Sequence, residues 1–156
     1  MKITMLGTGN ALTTEYYNTC FIISDNEKHF LVDGGGGNGI LRQFKKSGFS
    51  FSDIHDVFVT HTHTDHLLGI IWVIRKFCNV MNNENDHAYI YAHDEVINIL
   101  RYFSEHLPRL AVPVKVLPYT LYRNISADMD FPQLCLLLSQ HKLIPWLFKF
   151  LGIFGF

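Results

Sequence analysis

Short apolar runs separated by polar turns predict a series of β-strands along the first two thirds of the chain. These runs cover residues 2–6, 19–24, 29–33, 57–59, 89–92 and 112–117. Asp25 to Glu27 reads as the turn of a hairpin that joins the second and third strands. Pro113 cannot donate a ladder hydrogen bond, so it favours an edge position for the last strand.

Apolar residues at helical spacing predict three helices between these strands. The first holds Ile40 and Phe44 and ends at Gly48, a typical C-terminal cap. The second, residues 67–77, is apolar on most sides, so we expect a buried helix with Trp72 in the core. The third, residues 95–106, is amphipathic, with Asp94 as its N-cap. The order of elements predicts the α/β class, with a mixed sheet and helices on its face.

The last part of the chain has a different character. Residues 134–156 are mostly apolar, with charges only at Lys142 and Lys149. The polar break at residues 139–142 and Pro145 argue against a transmembrane span, which leaves a buried or partner-facing helix or an interfacial segment. We therefore divide the chain into a main region, residues 1–117, and an atypical apolar tail, residues 118–156, and expect a truncated or altered C-terminus.

Composition places the chain among ordinary globular proteins. It is 48% hydrophobic and 17% charged, and its net charge of −1 gives no overall basic field of the kind that nucleic-acid binders carry. Cys20, Cys78 and Cys135 have no paired spacing, and the N-terminus lacks the apolar core of a signal peptide. We therefore expect reduced cysteines and a cytoplasmic location.

The strongest chemical signal is a cluster of metal-binding side chains at His61, His63, Asp65 and His66. Alternation along an extended segment puts His61 and His63 on one side, and the other two follow where the next helix begins. Imidazole and carboxylate suit Zn²⁺ and also Mn²⁺ or Fe²⁺. The plainer alternative, histidines without any metal, is outweighed by four candidate ligands within six residues.

The motif His-x-His-x-Asp-His after an apolar strand resembles the hallmark of the metallo-β-lactamase superfamily. Residues 5–11 (MLGTGNA), Asn18 and residues 30–35 (FLVDGG) are similar in order and spacing to its ribonuclease Z-like branch. The resemblance covers residues 1 to about 116. It implies a metallo-β-lactamase-like αββα sandwich, of which this chain would hold the N-terminal part only.

The resemblance also implies roles for the residues of the motif. His61 and His63 would bind a first zinc ion, and Asp65 and His66 a second. Asp65 would in addition act in catalysis, by handling the proton of the attacking water. Asp33 would support the site from behind the ligands, by holding one of them or by ordering its loop. Its alternative role is a simple turn cap.

A complete site of this family takes further ligands from downstream in the chain. His141 follows the apolar residues 134–138 and is our candidate for the next histidine; the alternative is an ordinary polar break between two apolar segments. We interpret His93, between a strand and a helix, as structural.

The expected function is hydrolysis by metal-activated water, most naturally of a phosphodiester in a small molecule or a nucleic acid. Thr64 stands where tRNA-processing members usually have glycine, which favours a less defined substrate. Two alternatives remain open. The chain is an inactive fragment or one that needs a partner, such as a second copy in a homodimer, or it is a lactone or thioester hydrolase of the same fold.

Four consecutive glycines, Gly34 to Gly37, allow two interpretations. Their backbone amides could form a nest for a phosphate. Alternatively, the loop must pass close beneath the metal site, which is the interpretation that we favour.

Overall fold

The computed structural model describes residues 1–81, 88–106 and 114–118 of the 156-residue chain. Six strands, three α-helices and one turn of 3-10 helix alternate along these residues. In chain order they are β1 (Lys2–Gly7), β2 (Cys20–Asp25), β3 (Lys28–Val32), α1 (Gly39–Ser47), the 3-10 turn (Phe51–Asp53), β4 (Ile54–Val59), α2 (Thr64–Val80), β5 (Ala88–Ala92), α3 (Asp94–His106) and β6 (Val114–Pro118).

The strands form one mixed sheet in the order β1-β2-β3-β4-β5-β6. The first three pair antiparallel, and β3 to β6 pair parallel. Each parallel connection runs through a helix, as such connections require. β6 lies at an edge of the sheet among the described strands, which is the position that Pro113 favoured.

One face of the sheet packs against the helices. The register aligns Ile22, Leu31, Val57 and Ile90 across four strands. These side chains share a buried cluster with residues from all three helices, among them Phe44, Phe77 and Leu100. The apolar, β-branched strands therefore lie under helices, which is how parallel strands usually avoid water.

The opposite face of the sheet is aromatic. Phe21, Phe30, Phe58 and Tyr91 are all buried, and the rings of Phe30 and Tyr91 stack with centroids 6.1 Å apart. Asp56 lies on this face, where its Oδ1 accepts a hydrogen bond of 2.9 Å from the Tyr91 hydroxyl. Burial raises the pKa of the Asp56 carboxyl above its usual range.

Two local expectations were wrong. Trp72 is 37% exposed, and Arg75 lies over its ring at 5.9 Å from the centroid, because α2 leaves one strip of its largely apolar surface in solvent. Asp94 is the first residue of α3 rather than its N-cap. The preceding His93 serves that end of the helix, since its Nδ1 accepts a hydrogen bond from the Glu95 amide.

Contacts unite Met1–Pro118 in one compact unit. Residues 119–156, which include Cys135 and His141, lie outside the described residues, so the division of the chain at residue 117 stays a prediction. No helix in the described part of the chain is long and apolar enough to cross a membrane.

Candidate metal centre

The candidate centre forms where β3 and β4 end. Because these strands are parallel, their carboxyl ends meet at one edge of the sheet. β3 leads into Asp33, whose positive φ of 58° turns the chain sharply into the glycine run. β4 leads into Thr60 and His61, and α2 begins directly after His63.

Asp33 connects the two strand ends to α2. Its Oδ1 accepts a hydrogen bond of 2.8 Å from the Thr60 amide, and its Oδ2 accepts one of 2.8 Å from the Thr60 hydroxyl. Oδ2 also lies 2.7 Å from His66 Nδ1. This carboxylate is 2% exposed and its partners lie on other segments of the chain, which favours the supporting role over a simple turn cap.

His66 is oriented by this contact. Since the Asp33 carboxylate accepts the proton on Nδ1, the lone pair on Nε2 of the neutral ring points elsewhere. Nε2 lies 3.4 Å from Oδ2 of Asp65. Burial alone would lower the pKa of His66, but the hydrogen bond to Asp33 and the charges of Asp33 and Asp65 together raise it.

His61 is oriented by a second contact, through Thr60. Its Nδ1 lies 2.7 Å from the Thr60 hydroxyl oxygen. That hydroxyl has a single proton, which it donates to Asp33, so its oxygen accepts the Nδ1 proton of His61. Nε2 of His61 is therefore available to a ligand. Burial lowers the pKa of His61, and the adjacent His66 lowers it further, which favours the neutral imidazole that metals require.

The three imidazoles of the motif lie side by side. The ring of His61 is 4.5 Å from that of His63 and 4.3 Å from that of His66, measured between centroids. His63 occupies the N-cap position of α2, but its side chain makes no capping hydrogen bond. His63 is an exposed residue.

The glycine run passes directly under the start of α2. The Gly34 amide donates to the His66 carbonyl, and the Gly69 amide donates to the Gly35 carbonyl, both at 2.8 Å. A Cβ on Gly69 would overlap the carbonyl oxygen of Gly34, so the loop and the helix touch backbone to backbone. These contacts support a loop that must approach the centre closely, and they occupy an amide that a phosphate nest would need.

Three of the sequence-predicted ligands thus lie side by side, and Asp65 lies next to His66. Within the described ranges no three histidine, cysteine, aspartate or glutamate side chains meet around one point that would hold an ion. The chemistry of the donors nevertheless fits a metal, because two imidazoles have Nδ1 bound by oxygen and Nε2 available. His141, predicted to add a donor, lies outside the described residues. His93 contacts the α3 backbone, in line with the structural role expected of it.

The sequence interpretation missed Thr60 and Tyr17. Thr60 links Asp33 to His61, and its only signal is its place between a buried strand and the first histidine. The Tyr17 hydroxyl donates to carbonyls of the glycine run. No spacing pattern reveals a side chain that acts on backbone carbonyls far along the chain.

Comparison with known proteins assigns the family. A family model described as "Anti-Pycsar protein Apyc1" matches residues 1–107, which is more than half of the chain and includes Asp33 and the whole histidine motif. The chain belongs to this family. The match to the Apyc1 family covers every described element except β6.

Ribonuclease Z enzymes are also among the relatives of this Apyc1-family chain. It is 32% identical to ribonuclease Z of Phocaeicola vulgatus over 64% of its own length and 31% of the length of that relative. The predicted resemblance to the ribonuclease Z-like branch is confirmed. The chain spans about a third of the length of this curated relative.

Solved structures confirm the predicted fold. The short form of human tRNase Z is similar with a TM-score of 0.62 and 22% identity, over 76% of this chain and 44% of that one. A metallo-β-lactamase-fold protein from Bacillus subtilis is similar with a TM-score of 0.58 and 15% identity, over 81% and 49%. This Apyc1-family chain therefore has a metallo-β-lactamase-like fold and matches about half of each neighbour.

Proposed function

We propose that the protein is a metal-dependent hydrolase of the ribonuclease Z type that cleaves a phosphodiester. The observation that carries this proposal is the pair of oriented imidazoles. Asp33 holds His66 directly and His61 through Thr60, so that both rings present Nε2. A buried carboxylate behind metal-binding histidines is the usual support of a metal site in proteins.

Each residue of the motif has a role in this proposal. His61 and His63, with rings 4.5 Å apart, would hold a first ion, and Asp65 and His66 a second. Bound ions would supply an acidified water and positive charge opposite the phosphoryl oxygens. The Asp65 carboxylate, partly exposed at the first turn of α2, would accept a proton from the reacting water.

Zinc is the ion that we propose. Imidazole-rich sites with one or two carboxylates favour Zn²⁺, while Mn²⁺ and Fe²⁺ accept the same donors. A cytoplasmic location also stays a prediction.

The proposed substrate class follows from the relatives. Ribonuclease Z acts on RNA, and a phosphodiester is the bond that such an enzyme breaks. The phosphodiester of this protein would belong to a nucleic acid or to a small molecule. The net charge of −1 does not favour a long polyanion over a small one.

The test begins with the metal content of the purified full chain, measured by elemental analysis. Hydrolysis of bis(p-nitrophenyl) phosphate, a cyclic mononucleotide and an oligoribonucleotide is then compared for the wild type, His63→Ala and the control His106→Ala. His106 is exposed on α3, away from the motif. Bound zinc and activity that only His63→Ala abolishes are expected. Equal activity in the two variants would refute the proposal, and preference for a lactone or thioester would replace the substrate class.

A second candidate function is a half-site that needs a partner chain. It is motivated by the described residues, among which no three donor side chains surround one ion position. Light scattering coupled to size exclusion, with and without zinc, separates the two candidates. A zinc-dependent homodimer that alone is active would support the half-site, whereas an active monomer would exclude it.

A further inference from the structure

Tyr17 lies three residues before β2, and its hydroxyl reaches the glycine run. The oxygen is 2.7 Å from the Gly34 carbonyl and 2.8 Å from the Gly37 carbonyl. Its single proton is therefore donated between two carbonyls of the same loop. The ring itself packs against the edge of the hydrophobic core.

The glycine run is shaped to receive this ring. A Cβ on Gly35 would overlap the ring edge of Tyr17, and a Cβ on Gly39 would come within 2.6 Å of it. Any other residue at these two positions would push the ring away. The glycines thus provide a flat surface of backbone, and Tyr17 covers it.

The same loop is bound to α2 at the other side. Gly34 accepts from Tyr17 through its carbonyl and donates to the His66 carbonyl through its amide. Gly35 touches the Tyr17 ring and accepts from the Gly69 amide. Asp33 precedes this segment directly, so a shift of Gly34 moves the carboxylate that contacts His66.

The Tyr17 hydroxyl keeps its proton across the physiological pH range. Burial raises the pKa of the Tyr17 phenol well above its usual value, and the nearby Cys20 raises it further. The hydroxyl therefore stays protonated and continues to donate to the loop.

We propose that Tyr17 is a positioning residue, which holds the glycine run against α2 and thereby fixes the hydrogen bond between Asp33 and His66. This role of Tyr17 deepens the proposed function and rests on it, because it requires that His66 presents Nε2 to a metal. A residue outside the histidine motif thus controls the orientation of His66, one of the proposed ligands.

The test compares Tyr17→Phe with Tyr16→Phe in the full chain. Tyr17→Phe removes only the hydroxyl and keeps the ring, and Tyr16 is an exposed neighbour. The tautomer of His66 is read in the metal-free protein from long-range proton–nitrogen correlation spectra, at a pH above the titration range of the imidazole. The wild type and Tyr16→Phe should hold the proton on Nδ1. Tyr17→Phe should give a mixture of tautomers and weaken zinc binding roughly threefold to tenfold.

An unchanged His66 tautomer in folded Tyr17→Phe would overturn the proposal, even if the melting temperature falls, because a merely structural role predicts that result. Gly39→Ala provides a second route, since its Cβ displaces the Tyr17 ring from the side of α1. It should shift the tautomer in the same direction, and an unchanged tautomer there also counts against the proposal. The tautomer is measured without metal, so it decides the role of Tyr17 even if the wild type binds no zinc.

Discussion

Asp33 Oδ2 lies 2.7 Å from His66 Nδ1, although the two residues are 33 positions apart and stand on different elements. The contact joins the end of β3 to the first turn of α2. Because the carboxylate is 2% exposed, its charge is balanced by the protein groups around it, which are the Thr60 amide, the Thr60 hydroxyl and the His66 ring. This carboxylate supports the candidate metal site from behind its histidines.

Asp33→Asn should weaken zinc binding by about 10- to 100-fold. The asparagine amide keeps the shape of the side chain but has only one acceptor oxygen. In the wild type, the donors of Thr60 and His66 share the two oxygens of the carboxylate. Zinc affinity is measured by competition with a chromophoric chelator. Asp25→Asn, an exposed change on the β2–β3 hairpin, should leave the affinity unaltered. Wild-type zinc affinity in Asp33→Asn would mean that His66 needs no carboxylate partner.

Thr60→Val should lower zinc affinity by about tenfold. Valine preserves the volume and the branching of threonine, but it removes the hydroxyl that lies between Asp33 and His61. Thr60→Ser keeps the hydroxyl and is the matched control, expected to bind zinc nearly as the wild type does. Equal losses in the two variants would show that the methyl group matters and the hydroxyl does not.

Gly69→Ala should reduce the free energy of unfolding by about 3 kcal/mol or more. Alanine is the better helix former by about 1 kcal/mol, so any loss arises from the overlap of its Cβ with the Gly34 carbonyl. Urea unfolding followed by circular dichroism measures the change.

Gly48→Ala is the control for this substitution. Gly48 caps α1 at a φ of 80°, and a Cβ there meets nothing within 4 Å, so only backbone strain of roughly 1–2 kcal/mol is expected. A Gly69→Ala variant no less stable than Gly48→Ala would contradict the close packing of the loop on α2.

The grouping of the candidate ligands could be predicted from the sequence, whereas two residues near them could not. His61, His63 and His66 stand within six positions of each other, so local geometry alone brings them together. Thr60 and Tyr17 could not be inferred, because one acts through a hydroxyl shared by two neighbours and the other through carbonyls about 20 residues away. Such contacts depend on how loops stack, which carries no periodic signal.

The fold could be predicted because its strands and helices carry periodic apolar patterns. Each strand alternates or is apolar throughout, and β4 and β5 are buried by the helices that the pattern also predicts. The position of Trp72 was misjudged because α2 is apolar almost all round. Its pattern cannot show which strip faces solvent.

Asp56→Asn should stabilise the protein at neutral pH, and the gain should disappear in acid. Since burial raises the pKa of Asp56 in the folded state, the ionised carboxylate opposes folding once the pH exceeds the usual carboxyl range. The hydrogen bond from Tyr91 and the charges of His55 and Lys28 reduce this rise in pKa but do not cancel it. The amide oxygen of the asparagine can still accept a hydrogen bond from the Tyr91 hydroxyl. Urea unfolding across a pH series measures the difference between variant and wild type.

The control for this prediction is Glu27→Gln, at an exposed position in the β2–β3 turn. Its stability relative to the wild type should not depend on pH in the same way. A difference between Asp56→Asn and the wild type that stays constant from acid to neutral pH would show that the ionisation of Asp56 does not oppose folding.

The strictly sequential strand order has a consequence for how the chain is made. Because each strand of the described sheet pairs with the one before it, a strand leaving the ribosome finds its partner already synthesised. Among the described strands, the antiparallel pairs close without an intervening helix, whereas each parallel pair forms only after the helix between its strands has been made. The order of synthesis can thus also be the order of assembly, in which His61, His63 and His66 come together once α2 follows β4.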